Sequence, residues 1–181
     1  MRNFLIVFIL IIFAGCTSKD ELRSTLSNII GQRVCLCIDS MVIHPYENNK
    51  IDIKMNDSIP YKYVVYIDTL ECSMCTLEKV QLWNDFLPLE MEGKVRFYFI
   101  VESRKNEAES LFHLLSHVDL RHDIYIDTCQ LFMHKNTFLP YQKVFHTMLL
   151  DEDNNVVLVG DPIQNEKIEK TMLKIVGVQS K

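Results

Sequence analysis

Positive charge is scarce in this chain and nowhere concentrated. Its 181 residues include 19 Lys and Arg against 24 Asp and Glu, a formal net charge of -5. No Lys/Arg cluster occurs, which excludes nucleic-acid binding, because that function needs a basic face. Internal repeats and low-complexity tracts are also absent. The longest apolar run, Phe4 to Phe13, falls short of the ~20 residues that span a bilayer. What remains is ordinary: 48% hydrophobic and 24% charged residues, enough for one globular core plus short additions.

The first sixteen residues are different material. Met1-Arg2-Asn3 is a short basic start, and the apolar run that follows has the length of a signal-peptide h-region. It ends in Phe13-Ala14-Gly15-Cys16. Small residues directly before a cysteine resemble the lipobox of bacterial lipoproteins, although Phe13 stands where leucine is usual. The resemblance implies that residues 1–16 are a lipoprotein signal, that Cys16 is lipidated, and that the protein sits in the cell envelope on a membrane anchor. Acyl chains give firm anchoring at ~0.8 kcal/mol per buried methylene. The following Thr17-Ser18-Lys19-Asp20-Glu21 resembles acidic signals that some Gram-negative bacteria use for surface export. Both a periplasmic and a surface-exposed position stay open.

Export bears on the other five cysteines, Cys35, Cys37, Cys72, Cys75 and Cys129, because an exported compartment permits disulfides. An odd number leaves at least one thiol unpaired or paired between molecules. Residues 17–60 read as a polar tether and an N-terminal strand extension. Leu22, Leu26, Ile29 and Ile30 mark a short helix, Arg33 to Ile43 a strand, and 44–60 a loop or weak hairpin. On a strand, Cys35 and Cys37 share a face, where they are poorly placed to bridge and serve as small buried hydrophobes.

From residue 61 to about 178 the pattern alternates. Tyr63 to Ile67 and Lys94 to Val101 are apolar, β-branched and aromatic runs that suit buried strands. A helix with Leu77, Val80, Leu82, Trp83, Phe86 and Leu87 lies between them and ends at Pro88. A second helix carries Ala108, Leu111, Phe112, Leu115 and Val118. Ile124 to Ile126 is a short strand, and 128–143 is irregular or partly helical. Val144 to Leu150 and Val156 to Gly160 form a hairpin across Asp151–Asn155, and Ile168, Met172, Ile175 and Val176 mark a last helix. This order predicts an α/β sandwich with a mixed central sheet.

Cys72 and Cys75 fall where a buried strand gives way to a helix. A helix N-terminus presents unsatisfied N–H groups and the positive end of the macrodipole, which lowers a thiol's pKa. A C-x-x-C at such a junction can attack a disulfide through Cys72 and resolve the mixed disulfide through Cys75. Glu71 opposes this effect with a negative charge.

The strand, the C-x-x-C helix and the late hairpin TMLLDEDNNVV resemble the thioredoxin superfamily, nearest its TlpA-like and peroxiredoxin-like branch. More narrowly, the lipobox, the C-x-x-C and the ending VVLVGDPIQNEKI resemble small thioredoxin-like lipoproteins of gut bacteria. The resemblance implies a thioredoxin-like three-layer sandwich and thiol–disulfide exchange, with no cofactor. Its implied partners are exported protein thiols or disulfides and an envelope redox partner. The chain departs from the family at two places. Glu71 replaces the tryptophan usual before the first cysteine, and Phe145-His146 occupy the place of the family's cis-proline, which brings His146 near the cysteine pair.

Other chemistries remain open. Thr69-Leu70-Glu71-Cys72 matches the T-x-x-C part of a peroxiredoxin site, but the proline position holds Val65 and no arginine occurs from Thr137 to Thr147. A non-catalytic module for protein or ligand binding is the alternative, with Cys72 and Cys75 as a structural disulfide, or with Cys72, Cys75 and His146 as a ligand set for copper(I) or zinc. Asp68 is a candidate proton acceptor for the resolving thiol, or a strand-end carboxylate facing water. His113 and His117 read as a solvated helix face, Trp83 as core, Cys129 as a buried or half-buried free thiol, and His44, His122 and His134 receive no role.

Overall fold

The computed structural model describes residues 19–46, 59–68, 79–104 and 106–178. Its centre is the pair of most apolar segments. β2 (Tyr61–Ile67) and β3 (Val95–Glu102) run parallel, in register from Tyr61 opposite Val95 to Ile67 opposite Val101. β4 (Ile124–Asp127) adds in parallel on the far side of β3, and β1 (Val42–His44) pairs antiparallel with β4 at that edge. On the other flank β5 (Thr147–Leu150) and β6 (Val156–Val159) form the expected hairpin, with β5 antiparallel to β2. The mixed sheet therefore has the order β1-β4-β3-β2-β5-β6.

Alternation along the strands divides the core into two layers. Tyr63, Val65, Ile67, Phe97, Phe99 and Ile126 face one way, onto Val80, Trp83, Leu111 and Met172. Val64, Tyr66, Tyr98, Ile100, Met148 and Leu150 face the other way, onto Ile29, Phe132 and Phe145. Helices cover both faces. α2 (Leu87–Met91), α3 (Ala108–Leu115) and α5 (Glu166–Ile175) lie on the first, while α1 (residues 19–29) and α4 (Leu131–Lys135) lie on the second. This is the α/β sandwich with a mixed central sheet that the element order predicts, in the three layers that the family resemblance implies.

Several local expectations are corrected. Pro88 opens α2 and does not end a helix: a proline in the first turn loses no hydrogen bond, and residues 81–86 before it form a 3-10 helix. Residues 143–145 form a 3-10 turn ahead of β5, which begins only at Thr147. In α1 the apolar stripe is mostly exposed. Ile29 is fully buried, but Leu22, Leu26 and Ile30 face solvent.

The largest correction concerns Arg33 to Ile43, which is not one strand. Arg33 makes a single bridge to Asn155, Ile38–Ser40 is a 3-10 turn, and only Val42–His44 is β-structure. Hydrogen bonds from Gly31 N–H to the Val156 carbonyl (2.8 Å), Val156 N–H to Gln32 (2.9 Å) and Val34 N–H to Asn154 (2.9 Å) tie the segment to the outer side of β6. The conformation of residues 31–34 is set by partners more than 100 positions away, so local periodicity carries no record of it.

Candidate functional site at the carboxyl edge of the sheet

Because β2, β3 and β4 are parallel, their carboxyl ends, at Asp68, Glu102 and Asp127, come to one edge. In open α/β sheets that edge is where ligands bind. β5 begins there too: the His146 carbonyl accepts the Tyr66 N–H at 3.0 Å. The fold thus brings Asp68, Phe145 and His146 of the predicted site to the end of β2. Cys16, Thr69, Cys72 and Cys75 lie outside the described residues. Both flanks of the C-x-x-C are placed: Asp68 leaves β2, and the chain resumes at Lys79 with Val80 and Trp83 buried under the same strand.

His146 is 2% exposed. Its Nε2 lies 3.1 Å from the Pro140 carbonyl. A carbonyl only accepts, so this nitrogen is the donor, and in the neutral ring Nδ1 is then an acceptor. Nδ1 is buried without a hydrogen-bond partner among the described residues. The ring meets Tyr66 edge-on at 5.2 Å. Phe145, in contrast, is buried among the core residues of the second face. No cis peptide occurs among the described residues.

Under the edge lies a polar group that sequence reading missed. Tyr66 donates its hydroxyl to Glu102 Oε2, and Gln130 Nε2 donates to Glu102 Oε1 at 2.7 Å. Burial, then the Glu102 hydrogen bond and charge, hold the Tyr66 phenol far above its ordinary pKa, with Asp68 and Asp127 adding to the effect. Gln130 adopts a left-handed backbone, φ 56°, a conformation that costs a non-glycine residue about 1 kcal/mol or more. The Asp127 carboxylate accepts the N–H groups of Cys129 (3.1 Å) and Phe132 (2.8 Å), which fixes the start of α4. The available signal was phase: Tyr66 and Glu102 occupy same-face positions on two paired parallel strands.

The remaining cysteines and histidines also differ from expectation. Cys129 is exposed, not buried. Cys35 is exposed and Cys37 half-buried; their sulfurs approach to 2.9 Å, so neither is a buried hydrophobe and the pair is well placed to bridge. His122, given no role, is buried, with Nδ1 2.7 Å from Glu90 Oε2 and Nε2 3.4 Å from the Trp83 carbonyl. Trp83 is core, and His113 on α3 and His117 in the turn just after it are exposed side by side. Among the described residues no three His, Cys, Asp or Glu side chains converge as metal ligands.

A groove of about 620 Å³ opens beside the end of β2, between Lys79 and Leu82 on one wall and Lys143, Val144 and Gln164 on the other. Leu82 is 47% and Val144 58% exposed, so the rim offers apolar side chains beside two lysines.

No protein-family model matches the chain, and no curated protein matches it. Solved structures do. A Chlorobium tepidum protein provisionally named thiol:disulfide interchange protein DsbE superimposes with a TM-score of 0.51 at 13% identity, over 82% of this chain and 98% of that one. The fold is thioredoxin-like. A thioredoxin-like protein from Bacteroides caccae gives the same TM-score and identity over 89% of this chain, which spans 55% of that longer protein. A Bacteroides vulgatus protein provisionally named a thiol-disulfide oxidoreductase gives 0.50 at 13% identity, over 66% of this chain and 76% of that one. In thioredoxin-like terms, the segment with Cys72 and Cys75 leaves the central strand at the carboxyl edge, and His146 opens the hairpin strand opposite.

Proposed function

We propose that this protein is an envelope thiol–disulfide oxidoreductase that works through Cys72 and Cys75. The reading is supported above all by the placement of the C-x-x-C flanks, with Asp68 at the carboxyl end of a buried central strand and Val80 and Trp83 packed beneath it. The Cys72 thiolate attacks one sulfur of a partner disulfide, forming a mixed disulfide and releasing the partner's first thiolate. The Cys75 thiolate then attacks Cys72 Sγ and releases the second. The dithiol loses two electrons and two protons, and the partner becomes two thiols; the reverse sequence oxidises a partner. Asp68, half-buried at the strand end, accepts the Cys75 proton in this scheme, and Thr69 belongs to the same turn. The groove between Leu82 and Val144 suits an extended stretch of an exported polypeptide.

The domain organisation belongs to the same proposal: residues 1–16 as lipoprotein signal with Cys16 acylated, 17–60 as tether and N-terminal extension, and 61–178 as the thioredoxin-like domain. The chain from residue 17 onward, equilibrated with glutathione, is expected to show a reversible Cys72–Cys75 couple and to reduce insulin. Cys72→Ser is expected to lose both. A pair that stays inert across the accessible redox range would overturn the assignment. For the anchor, expression of Cys16→Ala should abolish incorporation of labelled fatty acid.

One observation favours a second reading, a copper(I) or zinc module. The buried Nδ1 of His146, without a hydrogen-bond partner among the described residues, is the kind of nitrogen that completes a soft site with two thiolates. Copper(I) titration of the reduced chain, with His146→Ala as control, separates the two. Binding that weakens in the variant supports the metal module, and identical binding removes His146 from it.

A further inference from the structure

Cys35 and Cys37 are separated only by Leu36, and their sulfurs lie 2.9 Å apart, about 0.9 Å from the S–S bond length of ~2.05 Å. An extended chain does not bring such residues together. The approach is made by Cys37 itself, whose backbone is left-handed at φ 55°, ψ 19°. Glycine or asparagine usually fills that conformation. A cysteine held there is strain at a reactive side chain, and such strain collects at functional sites.

The other end of the pair is held just as firmly. Asn136, 1% exposed, accepts the Cys35 N–H at Oδ1 (2.8 Å) and donates Nδ2 to the Cys35 carbonyl (2.9 Å) and to Phe132 (2.7 Å). One buried amide thus fixes the Cys35 peptide, and the turn from the Cys37 carbonyl to Ser40 N–H (3.1 Å) fixes the other. The sulfurs sit in an electrostatic setting shared with Asp127 and Lys135, beside the carboxyl end of β4.

We propose that Cys35 and Cys37 are a second, reversible dithiol–disulfide couple that exchanges with the disulfides of small thiols or of proteins, independently of Cys72 and Cys75. Three observations favour reversibility over a static staple. A ring with one intervening residue removes little freedom from the unfolded chain, so it stabilises little. Cys35 is exposed, so an incoming disulfide reaches it. Exposed or strained disulfides have the higher potentials that mark labile and regulatory bonds. In the exchange, the Cys35 thiolate attacks one sulfur of RSSR, and RS⁻ leaves. Cys37 gives up its proton, attacks Cys35 Sγ and expels the second RS⁻, so that the pair loses two electrons and two protons and RSSR becomes 2 RSH. The order of attack follows from the surroundings: burial, then the hydrogen bond and charge of Cys35, push the Cys37 thiol up to about 11, which suits the resolving partner.

The test uses the full chain carrying Cys72→Ser, Cys75→Ser and Cys129→Ser, equilibrated with mixtures of glutathione and glutathione disulfide, then acid-quenched, alkylated and digested with trypsin. Both cysteines fall on the peptide from Val34 to Lys50, which holds no other. The expected result is a single reversible step in which this peptide loses two hydrogens and regains them on added glutathione. Cys37→Ser should trap a Cys35–glutathione mixed disulfide, and Cys35→Ser should leave Cys37 reacting about tenfold more slowly or less. The same peptide read in the unmodified chain guards against a variant that fails to fold. A peptide that stays dithiol throughout, takes up two glutathiones, pairs with Cys129 in the unmodified chain, or forms a bond that glutathione does not reopen would overturn the proposal.

Discussion

The molecule buries acidic side chains at both ends of its parallel strands, and the two ends treat them differently. Glu90 and His122 lie among Trp83, Phe97 and Phe99, with side chains 8% and 1% exposed. Every polar side-chain atom of this pair has a partner: Glu90 also accepts the Phe97 N–H at 3.4 Å, and His122 reaches the Trp83 carbonyl. No backbone there is strained. At the carboxyl edge, Glu102 is also bonded, but through Gln130 in a left-handed conformation. Cys37 has the same strained backbone, and His146 keeps a buried nitrogen without a partner among the described residues. A saturated polar pair specifies a core, whereas an unsaturated and strained one is held in place by its surroundings and remains available for chemistry.

That contrast can be broken at either end. The largest effect on stability is expected from Glu90→Ala, which leaves His122 buried without its partner. Denaturant unfolding should show a loss of about 3 kcal/mol, with thiol exchange per folded molecule unchanged. A smaller loss, about 1–2 kcal/mol, is expected from Glu102→Gln, because the new amide still accepts from Tyr66 while opposing the Gln130 amide. Its sharper signature is spectroscopic. Removing the carboxylate charge should bring the Tyr66 phenol down toward its ordinary value while burial keeps it raised, read by phenolate absorbance against pH. The smallest effect belongs to Cys37. Its thiol is raised from 9.0 to about 11 in the fold, so its contribution to stability is complete below about pH 9 and is lost as the pH rises through about 11. Alkylation of Cys37 in the reduced chain should follow that window, and Cys35→Ser should move it lower.

Much of the fold was legible in the sequence where burial repeats locally. The apolar runs of β2 and β3, the stripes of α3 and α5 and the β5–β6 hairpin all follow period and turn chemistry, and the mixed sheet follows from their order. The site was legible as a position, the end of a buried strand, and His146 does arrive there. Legibility failed where long-range bonds decide. The Cys35–Cys37 turn depends on Asn136, about a hundred residues away, and the role of His122 depends on Glu90, 32 residues away. Pro88 misled because a proline that ends one helix and a proline that begins another look alike until the neighbouring 3-10 turn is seen.

The bonds that tie residues 31–34 to the outer side of β6 have a consequence for how the protein behaves in company. A strand at the margin of a sheet, with its backbone groups unpaired, is a template on which another chain can stack, and natural sheets protect such margins. Here the guard on the start of β6 is the stretch of chain that leads directly into Cys35. A change that loosens the anchorage of Gln32 or Val34 would therefore alter more than the thiol pair: it would uncover the start of β6 to strand addition, and the first sign would be self-association before loss of fold.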